Sequence, residues 1–241
     1  MNKKMEFQKD NNRKLKKSGI RRIKQIYFVF VIQALIFFAS AGHFNIPRAW
    51  LYFIIYLMYL LLNTVMAYKF FPEIANVRGE VRRGTKSWDK VFIALSAPMT
   101  LIIMPAVAGL DVGRYHWTSL PIYFTVVGIG LYIISVILID WSMITNRYFE
   151  TTVRIQKDRD HRIITTGPYK IVRHPGYVGI ILSVLSFSLI IGSLFSLIPA
   201  GIIILLFIIR TSLEDKTLHA ELDGYPEYAK RVKYRLFPGI W

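Results

Sequence analysis

The sequence contains no cysteine, which excludes disulfides, thiolate metal sites and a cysteine nucleophile. It is also poor in acidic residues, with 15 Asp and Glu against 31 Lys and Arg and a net charge of +16. Such an excess would by itself favour a nucleic-acid partner. The basic residues, however, cluster between long apolar segments, where they act as topology signals and contact anionic headgroups. We therefore expect a membrane with anionic lipids on its cytoplasmic face as the partner, and no nucleic acid.

Long apolar blocks make up most of the chain. Hydrophobic residues account for 54% of it, above the roughly 45–50% of a soluble domain, and the blocks are long enough to cross a hydrocarbon core of about 30 Å. The sequence therefore predicts an all-α integral membrane protein with about six transmembrane helices. They are placed at about Ile26–Gly42, Trp50–Phe71, Val91–Leu110, Ser119–Met143, Tyr177–Ile191 and Phe195–Arg210.

The last two helices come from one uninterrupted run, Gly176 to Ile209, which contains no Asp, Glu, Lys, Arg or His. A single helix over this run would be about 51 Å long, well beyond the bilayer core. Gly192, Ser193 and Pro199 lie in its middle and favour a turn. The run is therefore predicted to form a short helical hairpin.

The charge distribution predicts the orientation. With six spans and a cytoplasmic N-terminus, only Arg48 and Arg114 of the 31 basic residues fall in outside loops, which agrees with the positive-inside rule. Both termini are thus expected to be cytoplasmic, and the protein multi-pass. The chain divides into a basic arm (1–25), transmembrane helices one to four (26–143), and a third region (144–241). In this last region the hairpin brings the preceding loop and the tail to the same surface.

Two polar motifs flank the predicted hairpin. Arg173 and His174 precede it, and the acidic pair Glu214 and Asp215 follows it on a helix leaving the membrane. Two adjacent carboxylates at the bilayer surface are costly unless hydrated or paired, so a cationic partner is expected for them. In the preceding loop, apolar residues on both sides of a turn at 158–160 predict a small extended hairpin.

Several motifs together resemble the isoprenylcysteine carboxyl methyltransferase family, which is related to membrane phospholipid N-methyltransferases. They are Gly167-Pro168-Tyr169, Arg173-His174-Pro175-x-Tyr177-x-Gly179, the acidic pair Glu214-Asp215, Tyr225-x-x-Tyr228 and the ending Phe237-Pro238-Gly239-Ile240-Trp241. The resemblance covers about residues 140–241. Where the family usually has Glu-Glu, this chain has Glu214-Asp215.

The resemblance implies a methyltransferase, in which the methyltransferase-like region (144–241) holds S-adenosyl-L-methionine in a cytoplasmic pocket formed by the loop, the hairpin base and the tail. The residues it implies for the cofactor are Gly167, Tyr169, His174, Pro175, Tyr177, Gly179, Glu214, Asp215, Tyr225 and Tyr228. The acceptor would be lipophilic, either a prenylcysteine-type carboxylate or a lipid amine. Arg173 would position a carboxylate, whereas an amine would need a base, His174 or Glu214. The catalytic candidates are therefore Arg173 and Glu214.

Two other functions remain open at this point. An NADPH-dependent membrane sterol-type reductase is similar around Arg173-His174-Pro175, although the acidic pair and the short chain favour methyl transfer. A transporter or lipid-binding scaffold is disfavoured because spans one to five hold almost no ionisable residue. The histidines show no metal-ligand spacing, so no metal site is predicted.

Overall fold

A computed structural model describes residues 14–80 and 84–241 of the protein, and within these residues it is all helical. The helices are α1 (Lys17–Ala41), α2 (Pro47–Lys69), α3 (Pro72–Arg78), α4 (Ser87–Tyr115), α5 (Ile122–Thr145), α6 (Pro175–Ile191), α7 (Leu197–Glu221) and α8 (Tyr225–Arg231). Helices α1, α2, α4, α5 and α7 are long and apolar enough to cross a membrane, and α6 is a shorter apolar helix. The predicted all-α fold with several membrane-spanning helices is confirmed.

The ends of the helices follow local sequence signals. Proline is in the first turn of α2 and of α6, where its missing N–H breaks no helical bond. Helix α1 ends at Gly42, which has a φ of 82° and donates its N–H to the carbonyl of Phe38, a left-handed cap that favours glycine. The two largest differences from the predicted bounds are at α1, which begins at Lys17, upstream of the apolar block, and at α7, which continues past Arg210 to Glu221. In both cases the helix extends through polar residues beyond the apolar run.

Helix α4 contains two wider, π-helical turns, at Met99–Ile103 and Leu110–Tyr115. The first directly follows Pro98, whose ring cannot donate a hydrogen bond and disturbs the preceding turn. The second carries Asp111, which is completely buried. Helix α4 is thus irregular at these two places, after Pro98 and around Asp111.

The turn between α6 and α7 is held by the carboxylate of Asp111. The Ser193 hydroxyl donates to it at 2.6 Å and the Phe195 N–H at 3.2 Å. Thr118 donates from both its hydroxyl and its backbone N–H, at 2.7 and 2.9 Å. A buried carboxylate is stable only when it is hydrogen-bonded in this way, so Asp111 fixes the hairpin tip to the end of α4.

Arg48 at the start of α2 holds the same turn from the other side. Its guanidinium donates to the carbonyls of Leu189 and Ile190 at the end of α6, at 2.9 and 3.0 Å, and to that of Leu120 at 2.6 Å. Gly192 has a φ of 88°, and a side chain there would overlap the guanidinium. The predicted helical hairpin is therefore present, with glycine required at its turn.

The extended hairpin predicted around residues 158–160 is wrong. No strand occurs in the described part of this loop, and Lys157–Arg159 form one 3-10 turn instead. No strand pair forms because the loop backbone bonds to other partners. The Val153 N–H donates to the Asp89 carboxylate at 2.7 Å, and the Val153 carbonyl accepts from the N–H of Lys86 at 3.0 Å. The loop is thus bound to the start of α4 rather than to itself.

Replacing Asp111 with alanine is expected to lower the free energy of unfolding by about 3 kcal/mol, because several buried donors lose a charged acceptor. The measurement is a denaturant titration of the detergent-purified protein. The matched control is Asp223→Ala at an exposed position, which should change stability by less than about 0.5 kcal/mol. Equal stability of the two variants would contradict this role of Asp111.

Candidate active site

The loop before α6 and the tail after α7 meet through their backbones. The N–H of Arg173 donates to the carbonyl of Tyr234 at 3.0 Å, and that of His174 to the carbonyl of Arg235 at 2.9 Å. The described parts of the loop (146–174), the ends of α6 and α7 beside it, and the tail (222–241) are called the polar end below. The two motifs that flank the hairpin are therefore adjacent in space, as the fold-back requires.

The carboxylate of Asp215 is the centre of this contact. It is 1% exposed and accepts a bidentate pair from Arg173, at 2.8 and 3.0 Å, a bond from Arg235 at 2.9 Å and one from the Tyr225 hydroxyl at 2.8 Å. The His174 Nε2 lies 3.5 Å away. Two guanidinium groups thus compensate one buried carboxylate, and they join the loop, α7 and the tail.

Arg173 has few donors left for a ligand. Besides its two bonds to Asp215, its Nη1 donates to the carbonyls of Val232 and Lys233, at 2.7 and 2.9 Å. The cationic partner expected for the acidic pair is therefore present for Asp215. Four of the five N–H groups of Arg173 therefore donate to the protein itself.

A cavity opens at the polar end, between the loop, the start of α6, and α7 with α8. Of the predicted site residues, those that line it are Tyr169, Arg173, His174, Tyr177, Glu214, Tyr225 and Tyr228. Apolar side chains, namely Ile163, Ile164, Leu218 and Leu222, form part of its wall. Loop residues that the sequence did not single out, such as Asn146, Phe149 and His161, also face it.

Four predicted cofactor residues lie elsewhere. Asp215 is enclosed by its arginine partners, and Pro175 is the first residue of α6. At Gly179 a side chain would come within 2.6 Å of Ile139 on α5, and at Gly167, whose φ is 56°, within 2.8 Å of Thr145. These glycines thus let α6 and the loop approach α5 closely.

Glu214 and Tyr177 connect the cavity to a buried ion pair. The Tyr177 hydroxyl donates a short hydrogen bond to the Glu214 carboxylate. The Tyr177 ring also lies 5.3 Å from the guanidinium carbon of Arg210, within cation–π range. The Arg210 Nε is 3.0 Å from the Asp89 carboxylate, and both side chains are buried.

Arg210 and Asp89 are candidate functional residues that the sequence reasoning missed. Arg210 precedes Glu214 by one helical turn on α7, so the two share a face, and this spacing was a usable signal. Asp89 had no such signal, because its partner lies on α7 and only the folded chain brings α4 beside it.

The tyrosines of the cavity are buried and hydrogen-bonded. The Tyr228 hydroxyl donates to the carbonyl of Tyr169 at 2.8 Å, and Asn146 donates to the Tyr169 hydroxyl at 3.2 Å. Burial raises the pKa of Tyr169, Tyr225 and Tyr228, so these phenols stay neutral at physiological pH. The His174 ring stacks on that of Tyr177, with an interplanar angle of 3°. The cavity therefore offers aromatic faces and neutral hydroxyls beside two carboxylates, Glu214 and Glu150, of which Glu150 is paired with Arg154.

Asp215→Asn is expected to lower the free energy of unfolding by about 3–5 kcal/mol, because two arginines would then lack a carboxylate in a buried site. The tail should also detach, with faster amide hydrogen exchange over residues 225–241. Asp223→Asn removes the same charge at an exposed position and serves as the control. Unchanged exchange in the tail of Asp215→Asn would contradict the central role of this carboxylate.

Comparison with known proteins points to one family. Residues 126–220 match the model of the isoprenylcysteine carboxyl methyltransferase family. Protein-S-isoprenylcysteine O-methyltransferase B of Arabidopsis thaliana is 25% identical over 122 residues, which cover 49% of this chain and 59% of that protein. Protein-S-isoprenylcysteine O-methyltransferase of Schizosaccharomyces pombe is 30% identical over 86 residues, or 35% of this chain and 36% of that protein. The matches thus span less than two thirds of these curated relatives.

One solved structure similar to this chain is that of the eukaryotic intramembrane Ras methyltransferase, an isoprenylcysteine carboxyl methyltransferase. The TM-score is 0.47 and the sequence identity 17%, over 94% of this chain and 99% of that chain. The family match includes the loop, α6 and the acidic pair, whereas Tyr225 and Tyr228 lie beyond it. The comparisons give no support to the reductase alternative. The resemblance predicted from the motifs is confirmed over residues 126–220, which match the isoprenylcysteine carboxyl methyltransferase family.

Proposed function

We propose that this protein is a membrane methyltransferase that uses S-adenosyl-L-methionine and methylates a lipophilic acceptor. The observation that carries the proposal is the cavity at the polar end, where Tyr177 and Glu214 face the same space as His174. The names of the similar proteins support the reaction class, because they are O-methyltransferases of isoprenylcysteine. The cavity lies within the matched region except for α8 and the tail.

The residues of the cavity fit this cofactor. A sulfonium cation is stabilised by aromatic faces and carboxylates, and the stacked rings of His174 and Tyr177 lie beside Glu214. The apolar wall at Ile163 and Leu218 suits a flat purine. When bound, the cofactor supplies an electrophilic methyl group. The protein's share is then alignment of the acceptor and exclusion of water, which dominate an in-line transfer.

The two adjacent acids, Glu214 and Asp215, have different roles in this proposal. Glu214 faces the cavity and is bonded there by Tyr177, so it would contact the amino group or the ribose of the cofactor. Asp215, expected to do the same, is engaged by Arg173 and Arg235. We therefore assign Asp215 to positioning: it fixes the tail against the loop and so shapes the cavity.

The acceptor is proposed to be a prenylcysteine-type carboxylate. A carboxylate is already anionic, so no base is required, but a cation must orient it. Arg173, the expected cation, uses four of its five N–H groups within the protein. Arg210 is a buried cation against Tyr177 that pairs with Asp89 on α4 and donates to the Thr151 carbonyl at 3.0 Å. We propose that Arg210 orients the acceptor and that Arg173 holds His174 in place. A lipid amine acceptor would instead need Glu214 or His174 as the base.

The charge pattern supports the proposed orientation. Both termini would lie in the cytoplasm, with the basic arm (1–25) and the polar end facing anionic lipids of the inner leaflet. Residues 26–143 would then form the first four spans, and 144–241 the catalytic region. The cofactor would enter from water and the acceptor from the bilayer.

Glu214→Gln is expected to weaken cofactor binding at least about tenfold, the loss of roughly one charge-assisted interaction. Equilibrium dialysis of labelled S-adenosyl-L-methionine against the purified protein measures this. The control is Glu227→Gln on the exposed face of α8. Saturable quenching by NADPH, with no binding of labelled cofactor to the wild type, would reject the proposal. Label transferred to a prenylcysteine analogue but not to membrane lipid amines would identify the acceptor.

His161 gives a pH-dependent prediction. It lines the cavity, and burial lowers its pKa below the ordinary 6.5, so the folded state favours the neutral ring. Its contribution to stability is then complete above pH 6.5 and is lost as the pH falls through the lowered pKa. Between pH 7 and 5, the wild type should lose more stability than His161→Gln. His43→Gln, at an exposed position, should keep the wild-type slope; equal slopes for all three proteins would contradict the role of His161.

A further inference from the structure

Two arginines with unpartnered donors lie close together beside the polar end. Among residues 14–80 and 84–241, the buried Nε of Arg22 and the buried Nη1 of Arg78 have no hydrogen-bond partner. Arg22 lies on α1 and Arg78 is the last residue of α3. The following residue, Gly79, packs so tightly on α1 that a side chain there would overlap the Ser18 carbonyl and come within 3.2 Å of the Arg22 Cβ. The close packing of the two helices thus places the arginines next to each other.

The described residues provide no neutralising ion pair for these cations. Asp140 is the acid that interacts with Arg78, but its carboxylate is bonded by Tyr59 at 3.0 Å and by Asn63 at 3.4 Å. Within the described chain, neither arginine has a carboxylate at ion-pair distance. Burial, followed by repulsion from Arg22, lowers the pKa of Arg78 to about 10. Two desolvated guanidinium groups facing one acid leave an excess positive charge, which an additional anion would relieve.

The arginine pair lies directly behind one wall of the cavity. The guanidinium carbon of Arg78 is 5.2 Å from the centre of the Phe149 ring. That ring lines the cavity and also packs against Gly176 at the start of α6, where a side chain would come within 2.5 Å of it. An anion held by Arg22 and Arg78 would therefore sit beside Phe149, next to residues that do not themselves line the cavity.

We propose that Arg22 and Arg78 form a binding site for the phosphate group of an anionic phospholipid. Guanidinium forks match phosphate oxygens in geometry and charge, and both residues lie where an apolar span meets a polar surface, the depth of a lipid headgroup. The acceptor's own carboxylate is disfavoured as the ligand, because Arg78 contacts Phe149, whereas Arg210 contacts Tyr177 beside Glu214. A zwitterionic headgroup is disfavoured because its ammonium would meet two guanidinium groups.

Native mass spectrometry of the full-length protein in detergent tests the site without any cofactor, so its result is separate from that of the proposed function. Phosphatidylglycerol, phosphatidylcholine and inorganic phosphate are titrated in parallel. The wild type is expected to bind one phosphatidylglycerol more tightly than phosphatidylcholine. Arg78→Gln and Arg22→Gln should weaken this binding at least about tenfold, the loss of a charge-assisted contact. Arg21→Gln, which removes the same charge at an exposed neighbouring position, should leave it unchanged.

Folding of the variants is checked by the thermal midpoint in lipid-free detergent. Because Arg78 is buried and forms no direct ion pair within the described residues, Arg78→Gln should be at least as stable there as the wild type, and it should gain less from added phosphatidylglycerol. Arg78→Lys keeps the charge but not the fork, and should show intermediate affinity. Equal binding to Arg21→Gln and Arg78→Gln would overturn the site. Displacement of the lipid by millimolar inorganic phosphate would overturn the assignment to a phospholipid.

Discussion

The burial of one carboxylate, Asp215, determines how the polar end is arranged. A buried charge is tolerated only when opposite charge and hydrogen bonds replace its water. For Asp215 these come from Arg173 and Arg235, which belong to segments on either side of the hairpin. Because the two arginines must converge on one group, the loop before α6 and the tail after α7 are brought to the same place. The cavity wall that contains Tyr177 and Glu214 follows from this convergence.

At the turn of the hairpin, charged groups are likewise compensated by hydrogen bonds. Asp111 and Arg48 are charged groups that satisfy the backbone and hydroxyl groups of the turn between α6 and α7. Lipid tails provide little hydrophobic driving force between apolar helices, so polar contacts of this kind carry much of the specificity in a membrane protein. Since both ends are fixed, the register of α6 against α7 is fixed as well, and with it the pairing of Tyr177 with Glu214.

The sequence predicted the architecture better than the roles of individual residues. Gly192 and Ser193 within an uncharged run were sufficient to predict the hairpin, and the hairpin was sufficient to place Arg173 near the acidic pair. It was not possible to predict that the two acids diverge, because adjacent residues on a helix point about 100° apart and the sequence does not say which direction faces the cavity. The Asp89–Arg210 pair was missed because it joins helices whose contact exists only in the folded chain.

Tyr177 contacts two chemically different groups, a carboxylate and a guanidinium, and this arrangement suits the proposed reaction. Its hydroxyl bonds Glu214 within a cavity bounded by polar loops, where the proposed water-soluble, charged cofactor would be stabilised. Its ring lies against Arg210 of α7, which pairs with Asp89 of α4, and both helices are apolar spans. In the proposed reaction, a lipophilic acceptor from the bilayer would meet Arg210, and its carboxylate would exchange part of the Asp89 contact for its own. The two reactants would thus approach one aromatic ring from opposite phases, and neither would need to cross the other's environment.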